Sequence, residues 1–305
     1  MTSGPAIYGN FTIDDLVYPN GSTRWGVPGG SAVYAAMGAL LWTKVSSIVA
    51  PLGADYPITL LDKRIDLSRC RSIPKTMRNW GLYEEDGRRH FISRNESRDW
   101  TYFSPALADA ASGYQAAAHI APLPFEATKQ LIEELRAGGT KSISLDMDDH
   151  DLLGNRSLKK MMELVSTVDL FMPSQQDVLA LFPGKGPLEA MHQLRSLVPE
   201  VALIAIKCGA GGTIAHLAGS EEYLRIPAVH VEVIDQTGAG DAFCGGVLGS
   251  LARQGDLLEA LLCGAVSASF CIEGMGFSSL LEATGEAANS RLERLRQRVE
   301  RAPCK

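Results

Sequence analysis

The chain has no excess of basic residues: 29 Lys and Arg stand against 35 Asp and Glu among 305 residues, a formal net charge of −6. No long basic run supplies the phosphate-neutralising patch that nucleic-acid binding needs, so nucleic acid is not an expected partner. Long apolar runs are missing as well. The richest window, Leu262 to Ile272, is short and broken by Gly, Ser and Cys, well under the roughly 18 residues of a membrane span, so no membrane partner is expected. Met1 to Asp15 has neither a basic start nor an apolar stretch of signal-peptide length and already holds Asp14 and Asp15, which points to a cytoplasmic protein. The six cysteines, Cys70, Cys208, Cys244, Cys263, Cys271 and Cys304, include no C-x-x-C pair. That removes the common zinc and redox motifs and leaves reduced thiols, mostly in the core. What remains is 46% hydrophobic and 21% charged, with 30 Gly and 15 Pro, the profile of a globular chain with a sizeable buried core.

Short apolar runs bounded by Gly, Pro or Asp recur at Ala6-Ile7-Tyr8, Ser46 to Pro51, Ala117 to Ala121, Ser142 to Leu145, Leu170 to Met172 and Val201 to Ile206. Amphipathic segments lie between them, such as Ala127, Leu131, Ile132 and Leu135, closing at Gly138-Gly139. This βαβα alternation predicts an α/β fold with a mostly parallel central sheet covered by helices on both faces. Val229, Val231 and Val233, alternating with His230, Glu232 and Ile234, predict a half-buried strand that runs into a glycine-rich turn. Two stretches break the rhythm. Thr12 to Val27 and Ser72 to Tyr102 are rich in Arg, Asp, Asn, Tyr and Trp, and the second has a hairpin-like Glu84-Glu85-Asp86-Gly87 turn. They predict a small β lid built from discontinuous segments at about 12–27 and 72–102 of a single domain spanning 1–305; a decorated surface loop is the alternative. Ser290 to Arg301 places Leu292, Leu295 and Val299 at helical spacing opposite five arginines, which predicts a docked surface helix.

The chemistry concentrates in Ile234-Asp235-Gln236-Thr237-Gly238-Ala239-Gly240-Asp241-Ala242-Phe243. A strand is expected to end at Asp235, and Ala242, Phe243, Val247, Leu248 and Leu251 open an apolar helix. The turn between them sits at a helix N-terminus, where unpaired N–H groups and the positive dipole end favour an anion. Gly238 and Gly240 let backbone approach that anion, and a positive φ is expected at Gly240. A carboxylate at Asp241 suits proton removal from an attacking hydroxyl while neighbouring amides stabilise a transferring phosphoryl group. A plain N-terminal helix acid after a tight turn is the alternative.

The order D-x-x-G-A-G-D-A-F closely resembles the C-terminal signature of the PfkB carbohydrate kinases, the ribokinase-like family. Gly9-Asn10-Phe11-Thr12-Ile13-Asp14 is similar to the family's first strand and substrate-binding acid, Pro28-Gly29-Gly30-Ser31 to Ala36 to its glycine pair opening a helix, and Gly53-Ala54-Asp55 to its G-x-D turn. The resemblance implies a three-layer α/β/α sandwich. It makes Asp241 the catalytic base and Gly238, Ala239 and Gly240 the anion hole. Asp14, Gly29 and Gly30 become acceptor contacts, and Lys207, Gly209, Thr237 and Gly276 nucleotide contacts, with Ala265 to Gly276 bordering the adenine. The implied reaction is ATP-dependent phosphorylation of a primary hydroxyl on a small sugar or polyol, with Mg²⁺ and, in some relatives, K⁺. A nucleoside or inositol kinase, or an idle sugar- or nucleotide-binding regulator, are the alternatives, and a homodimer through the lid is implied too.

This sequence departs from the family pattern in three places. The usual N-x-x-E reads Ser174-Gln175-Gln176-Asp177, so Asp177 would meet Mg²⁺ through water. The usual Asn of the N-terminal motif is Tyr34, and a common Thr is Gln236. Asp235 is the candidate for a monovalent-cation site. No P-loop, complete G-x-G-x-x-G, H-E-x-x-H or G-x-S-x-G occurs. His119 and His230 read as structural residues of apolar strands. His150 beside Asp146, Asp148, Asp149 and Asp151 reads as an acidic strand-end loop as readily as a metal site; Asp146 is placed to touch nucleotide or Mg²⁺ but stays outside the catalytic set.

Overall fold

The computed structural model describes residues 4–85, 89–95, 100–106, 109, 116–147 and 158–304. The six short apolar runs become largely buried strands of a central sheet that takes in four more. These are β1 (Ala6–Tyr8), β4 (Ser46–Val49), β6 (Ile65–Asp66), β10 (Ala117–Ile120), β11 (Ser142–Leu145), β12 (Leu170–Phe171) and β13 (Leu203–Lys207), followed by β14 (Thr213–Leu217), β15 (Glu222–Ile226) and β16 (Glu300–Pro303). They form one ten-stranded sheet in the order β6-β4-β1-β10-β11-β12-β13-β14-β15-β16. Pairing is parallel from β6 to β13 and antiparallel beyond it.

Alternate residues of each strand feed two cores, which makes three layers. Ile7, Ile48, Leu203 and Ala205 face α1 (Ser31–Leu40), α6 (Ala239–Leu251), α7 (Leu257–Cys271) and α8 (Gly285–Arg296). Tyr8, Val49, Ile204 and Ile206 face α2 (Phe125–Ala137), α3 (Leu158–Val165), α4 (Gln175–Leu181) and α5 (Pro187–Leu197). Helices α1 and α6 touch backbone to backbone. A Cβ on Gly38 would run into the Ala242 carbonyl, one on Gly245 into that of Ala35, and one on Gly249 would lie 2.6 Å from that of Ala39. Only glycine permits this closeness.

A second sheet has the order β3-β2-β8-β9, from β2 (Thr12–Val17), β3 (Thr23–Gly29), β8 (Met77–Tyr83) and β9 (Arg89–Ser93). The two segments set aside in the sequence thus pair with each other. The β8–β9 hairpin brackets Glu84, with Tyr83 opposite Arg89; Asp86 and Gly87 lie outside the described residues. Two short strands, β5 (Pro51–Gly53) and β7 (Arg71–Ile73), pair separately. Asp55 of the G-x-D turn accepts from Thr76 N and Thr76 Oγ1, both at 2.7 Å, pinning the entry to β8.

Two expectations fail. Val229 to Ile234 forms no strand: β15, the strand just before it, already has β14 and β16 as neighbours and offers no free edge. Instead Ile234 N donates to Ile272 O at 2.8 Å, and Val233, Ile234 and His230 are exposed. The C-terminal helix stops at Arg296, because Glu300–Pro303 pairs with Glu222–Arg225. Leu292 and Leu295 are buried as the spacing requires. All six cysteines are free, and Cys244, Cys263 and Cys271 are buried. No helix among the described residues is long and apolar enough to cross a membrane.

Candidate active site

In the central sheet β1 has β4 on one side and β10 on the other, so successive crossovers leave it in opposite directions and open a crevice at its carboxyl end. Asn10, just past β1, is buried and its Oδ1 accepts from Ser31 Oγ at 3.1 Å. Gly30 lies against the Asn10 carbonyl with φ 118°, a turn that starts α1 at Ser31 and is open only to glycine. The α1 N-terminus therefore points into the crevice.

The second N-terminus there belongs to α6. Asp235 is buried and its carboxylate accepts from Thr237 N (2.9 Å), Thr237 Oγ1 (2.6 Å) and Gly276 N (3.1 Å). These bonds fix the turn and tie it to the 276 loop. Gly238 carries the positive φ, 74°, and lies flat on the ring of Tyr34, where a Cβ has no room. Gly240 is helical, contrary to expectation, because α6 already begins at Ala239. Asp241 occupies the first turn and is half-buried. The first-turn N–H groups lack intrahelical acceptors by position, although Ala239 N donates back to Gln236 O at 3.3 Å.

Asp14 approaches from the second sheet. It lies within β2, past the end of β1 where it was expected, and accepts from Thr12 Oγ1 at 2.8 Å and Asn79 Nδ2 at 3.0 Å. It is 4% exposed, and burial raises its pKa to about 6 despite both hydrogen bonds. Its Oδ2 would lie 3.1 Å from a Cβ on Gly29, so the glycine leaves the carboxylate open on that side. Asp15 points to the opposite face as strand geometry requires. It is buried, not solvated: Gly26 N donates to it at 2.8 Å and Arg94 pairs with it.

On the other side of the α6 turn Lys207 ends β13, and its buried ammonium pairs with Asp146, just past β11. Burial pulls the Lys207 pKa down, but Asp146 and Cys244 outweigh it, and the net direction is up. A Cβ on Gly240 would sit 3.3 Å from Lys207 Nζ, so the ammonium lies behind the glycine turn. Asp177 forms a capping box with Ser174: Ser174 N donates to Asp177 Oδ2 (2.7 Å) and Asp177 N to Ser174 Oγ (3.2 Å). Burial first, and then Asp146, raise the Asp177 pKa to about 7. Gly209 opens a tight turn with φ 55° and free space around its Cα. Ala265 to Cys271 are the last turns of α7 in the core, which leaves Met275 and Gly276 as the part of that segment beside the site. His119 is fully buried and its Nδ1 bonds Ser144 Oγ at 2.7 Å; His150 and Asp148, Asp149 and Asp151 lie outside the described residues.

Sequence reasoning missed Asn79, Tyr83 and the Asp146–Lys207 pair. Tyr83 Oη is hydrogen-bonded to Thr237 Oγ1 from the end of β8. The available signal was alternation: in Met77–Tyr83, Asn79 and Tyr83 share a face, and the parallel pairing Asp14↔Asn79 turns it toward the acid.

The comparisons with known proteins agree with this geometry. The model of the pfkB family carbohydrate kinases matches residues 19–284. A cytidine kinase of Thermococcus kodakarensis is 26% identical over 268 residues, covering 85% of this chain and 92% of that protein. Protein MAK32 of Saccharomyces cerevisiae is 24% identical, covering 88% and 84%. Among solved structures, a nucleoside kinase of Methanocaldococcus jannaschii superposes with a TM-score of 0.73 at 20% identity, over 95% of this chain and 98% of that one. An Arabidopsis thaliana ribokinase complexed with ribose and ATP gives 0.73 at 17% identity, over 96% and 99%. The fold is thus the ribokinase-like sandwich, and the chain belongs to the pfkB family of carbohydrate kinases.

Proposed function

We propose that this kinase transfers the γ-phosphoryl group of ATP to a primary hydroxyl of a small sugar, polyol or nucleoside held between the second sheet and the glycine turns. The carrying observation is that the N-termini of α1 and α6 lie together, Gly238 resting on the Tyr34 ring of α1, with Asp241 in the first turn of α6. Asp14, with Asn79 behind it and Gly29 beside it, would accept hydrogen bonds from acceptor hydroxyls. Asp241 would take the proton of the attacking hydroxyl as the oxygen–phosphorus bond forms and ADP leaves. The amides of Gly238, Ala239 and Gly240, with the Lys207 ammonium behind them, would stabilise charge on the transferring group. Gly209, Thr237 and Gly276 line the nucleotide side.

Two buried carboxylates, Asp146 and Asp177, lie near one ammonium, which pairs with Asp146. Such hard oxygen donors fit Mg²⁺, which Asp177 would hold through water. When bound, the ion would neutralise charge on the nucleotide phosphates. Asp235 already accepts three hydrogen bonds, leaving about one lone pair for K⁺. The outer face of the second sheet exposes Trp25, Trp80 and Ile92, the surface through which a homodimer would form. Six free cysteines and an ATP requirement suit the cytoplasm.

A nucleoside is the acceptor to test first, because one relative matched over nearly its whole length is a cytidine kinase. The test is ADP release with ATP and Mg²⁺ on addition of cytidine, inosine, D-ribose, D-fructose or a polyol. Acceptor-dependent turnover that is lost in Asp241→Asn supports the reading; turnover with none of them rejects it.

A further inference from the structure

Tyr83 and Thr237 are 154 residues apart, one closing β8 of the second sheet and the other inside the turn before α6. The proton order of their contact is fixed by what lies beyond. Thr237 N donates to Asp235 Oδ1, which makes that oxygen an acceptor, and Thr237 Oγ1 lies 2.6 Å from the same atom. A threonine hydroxyl has one proton. It goes to Asp235, so Tyr83 is the donor to Thr237 and the chain runs from phenol to hydroxyl to carboxylate. The other carboxylate oxygen holds Gly276 N. Tyr18, just past the end of β2, stacks on Tyr83 with ring centroids 5.3 Å apart and directs its hydroxyl to Met275 Sδ at 3.3 Å. Two strands of the second sheet therefore end on the two loops that Asp235 ties together, and the same strands carry Asp14 and Asn79.

On the kinase reading above, we propose that Tyr83 is a positioning residue for phosphoryl transfer. Acting through Thr237 and Asp235, it registers the acceptor-binding sheet on the turn that receives the phosphoryl group. Donor and acceptor groups then come into line only when the phenol is seated, and a sub-ångström error there would be costly in rate.

Tyr83→Phe keeps the stack on Tyr18 and removes only the hydroxyl. Amide hydrogen exchange on the peptides containing Thr237 and Gly276, whose N–H groups both donate to Asp235, is expected to quicken about fivefold, the ratio corresponding to one hydrogen bond, with α7 unchanged. With cytidine as acceptor kcat should fall about tenfold while the KM for ATP holds within about twofold. Unaltered exchange in Tyr83→Phe overturns the proposal. So does a tenfold loss of kcat without a change in exchange, which would mean that Tyr83 touches the acceptor itself, or faster exchange with undiminished kcat. If the wild type phosphorylates none of cytidine, D-ribose and D-fructose, the kinase reading fails, and exchange alone still decides whether Tyr83 sets the turn.

Discussion

Asp14→Asn separates what the acceptor site does from what it costs the fold. In the folded protein the carboxyl has a pKa of about 6 against an ordinary value of 3.8, raised chiefly by burial. Below about pH 4 it is neutral in both folded and unfolded chains and imposes no penalty. Between about 4 and 6 the unfolded chain ionises first, so stability falls with rising pH, and above 6 the full cost of about 3 kcal/mol is present. Asparagine abolishes the charge but meets Thr12 and Asn79 less well, since its amide nitrogen cannot accept from either; one lost bond takes back about 1 kcal/mol. A net gain of about 2 kcal/mol corresponds to a rise in Tm of roughly 2–5 °C for a chain of this length. Melting curves at pH 8 should show that gain, and curves near pH 4 should show almost none. The same variant should raise the acceptor KM at least tenfold, because a charged acceptor of hydroxyl hydrogen bonds has been lost. A Tm difference equal at both pH values, or an unchanged acceptor KM, would refute the assignment.

Asp241→Asn should keep the fold and ATP binding while lowering kcat by about 10²–10⁴, measured by product formation under saturating ATP. Gly238→Ala forces a Cβ into the Tyr34 ring at a left-handed φ and should cost roughly 2–4 kcal/mol in urea melts together with nearly all activity, whereas Gly240→Ala, in helical conformation, should fold normally. Lys207→Met strands two buried carboxylates and should destabilise by about 3–5 kcal/mol; adding Asp146→Leu should recover part of it, as a double-mutant cycle would show. Asp15→Ala, which breaks the Gly26 and Arg94 contacts, should lower stability by about 1–2 kcal/mol and leave the acceptor KM alone.

What the sequence made legible was local. The 235–243 stretch spells strand end, turn and helix start within a few residues, and the acid falls in the first helical turn by counting. The alternating layers were legible for the same reason, since each strand or helix writes its own period. Pairings between distant segments were not. Asp14 meets Asn79 across 65 positions and Lys207 meets Asp146 across 61, and no periodicity encodes which partner an isolated polar residue finds. Val229 to Val233 shows the converse: its alternation is genuine, but a strand also needs a free edge, and β15 had none. At the C-terminus Val299 continues the helical spacing, yet pairing of the next residues with β15 ended the helix at Arg296.

The contact between α1 and α6 has a mechanical consequence. With Gly38, Gly245 and Gly249 at the contact, backbone rests on backbone at all three positions. The Gly30 and Gly238 turns, one at the head of each helix, are therefore two jaws of a single casting, and any closing movement would have to come from the second sheet. The alignment of those jaws is set well behind them, since Gly249 lies about 14 Å along the helix from Gly240. A methyl group added at Gly249 would act as a shim, tilting one jaw against the other without touching a substrate.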